Sequence, residues 1–144
     1  MKNMKFLLAI TLFFGITVMN AQKKMQTQTK AQVQVQTPAD KWPHLKAFHT
    51  LLNNTLQSAE KGNSAPIKKS AEKMVLLVND LNIDNMPSTL KSQKLIDAIE
   101  QLKNQTLIVR EAVDGNLNDK DILTALREVN TKYLSVATEC NGKK

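Results

Sequence analysis

The chain has 144 residues, 20 basic and 13 acidic side chains, and one cysteine. That length fits one domain, and a single cysteine excludes a disulfide framework inside the chain. The net charge of +7 comes almost wholly from dispersed lysines, with Arg110 and Arg127 the only arginines. A nucleic-acid module carries more arginine and interleaved aromatics, so nucleic acid is set aside.

Residues 1–21 read as a secretory signal peptide. Lys2 and Lys5 give a positive start, Phe6 to Val18 is mostly apolar, and Asn20-Ala21 offers a small residue for cleavage. The apolar run is too short for a comfortable membrane span. No second long apolar run follows, so the expectation is a soluble protein of the periplasm or the medium. Removing residues 1–21 leaves a net charge of +5.

Residues 22–41 read as a Gln/Thr/Lys-rich tether. "QVQVQT" alternates like a strand but has no partner strand, and a lone strand cannot satisfy its own backbone.

Residues 42–141 read as an all-α domain. Pro43 suits a first helical position, and Leu45, Phe48, Leu52, Leu56 and Ala59 recur at steps of three and four. Gly62 is the expected stop, Ser64 the cap of the second helix, and Pro66 lies in its first turn. Ile67, Ala71, Met74, Val78 and Leu81 form the second stripe. "NIDNMPS", residues 82–88, breaks the pattern at Pro87, and Ser88 can cap the third helix. That helix carries Leu95, Ile99, Leu102, Thr106, Val109 and Val113, and ends at Asp114-Gly115. Asn118 or Asp119 caps the fourth, whose stripe is Ile122, Leu126, Val129, Tyr133, Val136 and Cys140. Helices one, two and four are expected at about 18–20 residues, roughly 27–30 Å, with the third longer. Four amphipathic segments with short connections predict an antiparallel four-helix bundle in up-down-up-down order.

The candidate ligands are few. His49 lies between Leu45 and Leu52, on the expected inward side of helix one. It is either a histidine at the edge of the stripe, bonded to a neighbour or to water, or a metal or cofactor ligand. His44 and His49 point ~140° apart on a regular helix, so they cannot clamp one metal together. Cys140 is a small buried side chain, an intermolecular bridge or, near His44 across an antiparallel bundle, a second ligand. The catalytic motifs GxSxG, HExxH and CxxC are absent, as is a phosphate loop. The glutamates pair with no histidine in the di-iron manner, so no catalytic activity is expected.

"FHTLLNNTLQSAEKGNSAPIKKSAEKM" and "AIEQLKNQTLIVREAVDGNLNDKDILTALREVNTKYLSV" resemble the two hairpins of soluble periplasmic b-type cytochromes and the related cytochromes c-prime. The resemblance covers residues 43–140 and implies their bundle. It also implies a haem held between helices one and four. His49 stands at the first ligand position, but Leu134 stands at the second and cannot ligate iron. The chain is also similar to small exported helical proteins with histidine-rich helices one and four; Gln57, Asn130 and Leu134 stand at some of those places. Two functions follow as expectations. One is a binding protein for a metal ion or haem, centred on His49 with Cys140 or His44. The other is a structural or interaction module whose basic surface meets an acidic protein or an envelope component.

Overall fold

A computed structural model describes residues 38–142; the expected signal peptide and most of the expected tether, residues 1–37, lie outside the described residues. The described chain is all-α and forms a four-helix bundle. Its helices are α1 (Pro43–Glu60), α2 (Ala65–Asn79), α3 (Gln93–Asp114) and α4 (Asp119–Asn141). Short 3-10 turns at Pro38–Lys41 and Ser88–Leu90 flank α1 and α3. The last four residues assigned to the tether are therefore structured, and Ala39 is buried.

The buried faces follow a heptad rhythm. In α4, Ile122, Leu126, Val129, Tyr133, Val136 and Cys140 are all buried, as the periodicity predicts. Alternating steps of four and three keep one seam turned to the neighbouring helices. In α1 the seam runs through Leu45, Phe48, Leu52, Thr55 and Ala59, with Leu56 only half-buried. The periodicity predicts Leu56 on this face, and packing instead buries Thr55. In α3 the seam likewise ends on Ala112, with Val113 at its edge.

Helix lengths depart from expectation at both extremes. α2 has 15 residues and α4 has 23. α2 stops at Asn79, and Leu81 is buried from the connection rather than from the helix. Ser88 does not cap α3. It opens the 3-10 turn, and Ser92 is the cap, its Oγ accepting from Leu95 N at 3.3 Å.

The turns between hairpin helices show why the chain reverses where it does. Gly62 takes φ +86°, Gly62 N donates to Ala59 O and Asn63 N to Ser58 O, which satisfies the last carbonyls of α1. α3 ends in the same pattern, with Asn116 N bonded to Val113 O and Leu117 N to Ala112 O. There the left-handed residue is Asn116 at φ +52°, while Gly115 has φ −77°. The helix thus ends at Asp114-Gly115 as the sequence predicts, and the left-handed residue that follows is an asparagine. Asn118 caps α4 as predicted, its Oδ1 accepting from Asp121 N at 3.0 Å.

Cross-helix contacts run in opposite chain directions. His49 meets Tyr133 and Glu60 meets Arg127 between α1 and α4. Lys132 Nζ donates to Gln101 and Gln105 donates to Ala125 O between α3 and α4. α3 and α4 share the most extensive packing, and α1 and α4 the least of the adjacent pairs.

Candidate functional site

The seam between α1 and α4 holds the residues that the sequence singled out. His49 is exposed, not inward-facing. The reason is the choice of seam. With Leu45, Phe48, Leu52, Thr55 and Ala59 inward, His49 lies ~80° from the centre of the buried face at 100° per residue. Its imidazole lies flat on the Tyr133 ring, centroids 4.3 Å apart and planes 11° apart. Tyr133 is nearly buried and also meets Phe48 at 6.5 Å in a tilted pair. His49 therefore covers the outer face of a core tyrosine.

The other candidates stand apart from it. His44 is exposed in the first turn of α1. Cys140 is fully buried at the end of α4, and burial pushes its thiol up to about 11, with Glu139 adding to the rise. Such a thiol holds almost no thiolate at neutral pH, so it acts as a small apolar side chain. Among the described residues, no hydrogen bond, ion pair or ring contact joins His44 or His49 to Cys140. Nor do three His, Cys, Asp or Glu side chains gather as metal ligands there.

A haem between α1 and α4 does not fit these side chains. The face of His49 is taken up by Tyr133, and Leu134 points to solvent at 55 % exposure. The space between the helices is filled by Leu45, Phe48, Leu52, Tyr133 and Val136, all buried. Gln57 is exposed and its amide donates to Asn53 Oδ1 at 3.3 Å.

Two further regions carry polar chemistry or shape. At the start of α2, Ser64 stands at the cap position, but its Oγ donates to Asp119 Oδ2 at 2.5 Å instead of capping its own helix. Lys68 Nζ holds the other carboxylate oxygen, Asp119 Oδ1, at 3.0 Å. The Ser64 hydroxyl, then Lys68, hold the Asp119 carboxyl below its ordinary value of 3.8. Close by on the helices, Arg127 pairs with Glu60 at 3.5 Å and Arg110 with Glu72 at 3.7 Å.

At the far end of α2, a groove of about 400 Å³ opens between the α2–α3 connection and α3. Leu81, Ile83, Met86, Ile96 and Ile99 make its apolar lining. Asp84, Glu100 and Lys103 stand on its polar side. Periodicity could not find this groove, because the residues that shape one wall lie in an aperiodic connection. The available signal was three apolar residues, Ile83, Met86 and Leu90, in a stretch otherwise made of turn formers.

Comparison of the chain with protein families, with characterised proteins and with solved structures finds no match.

Proposed function

We propose that this protein is an exported, non-catalytic helical interaction module, its bundle in up-down-up-down order, that meets an acidic protein partner through the lysine-bearing start of α2. The observation that carries this reading is an electrostatic one. The first turn of α2 contains no acidic residue, although a helix N-terminus favours negative charge. Lys68 stands there instead, with Lys61 just before the helix and Lys69 and Lys73 just beyond its first turn. Lys61, Lys69 and Lys73 are exposed and make no ion pair among the described residues. Lys69 and Lys73 lie four apart, on one outward stripe. Lys68, in the first turn, is paired with Asp119, which reaches over from α4. The helix dipole and the lysines thus share a sign, and an acidic surface docked there would relieve both.

Export rests on residues 1–21 and the bundle order on the opposed chain directions of the cross-helix contacts. A direct test uses protein made from the full chain, with poly-glutamate as the acidic probe. Binding is expected to weaken with salt, as exposed charge pairs do, and to weaken again in a triple Lys61→Gln, Lys69→Gln, Lys73→Gln variant. A triple variant that binds as well as the parent would overturn the reading. Intact mass of the protein recovered outside the cytoplasm tests export, with a chain beginning at Gln22 expected.

A further inference from the structure

The groove at the other end of α2 is a different kind of surface. Its floor is apolar, and its rim carries a charge opposite to that of the whole chain. Ile83 is 49 % exposed although it is a large β-branched hydrophobe. It is held in that position by its loop: Asn82 Oδ1 accepts from Asp84 N at 3.0 Å and from Asn85 N at 3.1 Å, and Asn85 Nδ2 donates back to Asp80 O. The wall is therefore set before any ligand arrives, which lowers the ordering cost of binding. On the opposite wall, Lys103 is engaged by Glu100 at 2.9 Å. The rim charge left without a partner among the described residues is the Asp84 carboxylate. The last turn of α2 runs directly into this wall and carries no basic residue, and its cap, Asp80, is itself exposed and acidic. A helix C-terminus favours a cation, and none of its own residues supplies one.

We infer that this groove binds a small amphipathic cation, its apolar body on Ile83, Ile96 and Ile99 and its ammonium or amidinium group against Asp84 and the C-terminal end of α2. The volume lies near the lower limit for small-molecule sites, roughly 300–1,000 Å³, which suits a free small molecule better than a protein segment. The site is independent of the lysine-bearing end of α2 and of any partner docked there.

The test exploits the mismatch with net charge. A protein with an excess of lysine attracts anions in general, so a preference for the cation has to come from the site. Nitrogen-15-labelled protein made from the full chain is titrated with octyltrimethylammonium and, separately, with octyl sulfate, both below self-association. Amide shifts are expected at residues 81–86 and 96–103, with the cation bound about two- to fivefold more tightly than the anion, the worth of one exposed ion pair. Asp84→Asn is expected to abolish that preference, and Ile83→Ser to weaken both ligands. Both positions are exposed, so the fold tolerates the changes. A Lys69→Gln, Lys73→Gln variant is expected to leave the titration unchanged, even if it loses poly-glutamate binding. The inference is overturned if the cation shifts no amide in the groove, if its shifts centre elsewhere, or if octyl sulfate binds the groove at least as tightly.

Discussion

The two ends of the bundle are closed by different chemistry. At the end that holds both hairpin turns, the last carbonyls of α1 and α3 are met by backbone N–H groups, and Ser64, Lys68 and Asp119 tie α2 to α4 through exposed polar contacts. At the opposite end, Trp42 is fully buried before α1, Leu81, Met86 and Leu90 are buried from the α2–α3 connection, and Cys140 is buried at the close of α4. One end is specified by hydrogen bonds in water, where each is worth little. The other is specified by apolar surface removed from water, where each large side chain is worth about 1.5–3 kcal/mol. Their difference explains why the groove lies at the second end. An aperiodic, partly buried connection leaves gaps that two turns of tight geometry do not.

That contrast can be broken most readily at Trp42. Trp42→Ala is expected to cost about 3–5 kcal/mol in urea unfolding, the usual penalty for emptying a large core site. The indole Nε1 is buried without a hydrogen-bond partner, and a buried orphan donor costs about 1–3 kcal/mol. Trp42→Phe removes that donor and is therefore expected to lose much less than Trp42→Ala. Equal losses would show that packing at this end does not depend on the ring.

A smaller effect is expected at Leu90, buried in the 3-10 turn that precedes α3. Leu90→Ala should cost about 2–4 kcal/mol, within the range for buried leucines, again by urea unfolding. A loss under 0.5 kcal/mol, the usual range for surface positions, would mean that the connection contributes nothing to closing this end.

At the polar end the largest single change should be stabilising. Asn116 holds a left-handed backbone that glycine adopts without strain, so Asn116→Gly is expected to gain up to about 1 kcal/mol. The thermal midpoint checks the sign, and a fall in it would remove backbone strain as the explanation of that turn.

The smallest effect is expected from Asp119→Asn, and its pH dependence is the informative part. The Asp119 carboxyl is held below its ordinary value by Ser64 and Lys68. A group depressed on folding stabilises above its unfolded pKa, and that contribution fades as pH falls through the folded value. Parent and variant should therefore differ slightly at neutral pH, and the difference should shrink below about pH 4. A constant difference down to strong acid would assign the effect to the Ser64 hydrogen bond rather than to charge.

Much of the fold was legible because heptad steps are a property of the chain. The α4 stripe from Ile122 to Cys140 and the α2 stripe from Ile67 to Val78 are buried residue for residue. Gly62 and Asn118 were legible for a local reason, since a left-handed turn and a side-chain cap are made within a few residues. The errors also share a cause. Thr55 and Leu56 both fit a helical period, and only the neighbours of α1 decide which of them faces inward. His49 stands between two inward leucines, Leu45 and Leu52, yet the seam through Thr55 leaves it ~80° from the centre of the buried face. Ser88 and Ser92 are both plausible caps, and the burial of Leu90 between them decides for Ser92.

The sequence by itself determined four amphipathic helices, the residues that could end them, and a lysine-dominated charge. These depend on spacing, backbone stereochemistry and side-chain identity, all of which are fixed before the chain folds. Tertiary structure decided the rest: the flat stack of His49 on Tyr133, the carboxylate of Asp119 held from the start of α2, and the groove beside Ile83. Each of these depends on residues of different segments meeting across an interface, and periodicity along one helix carries no information about what stands on the next.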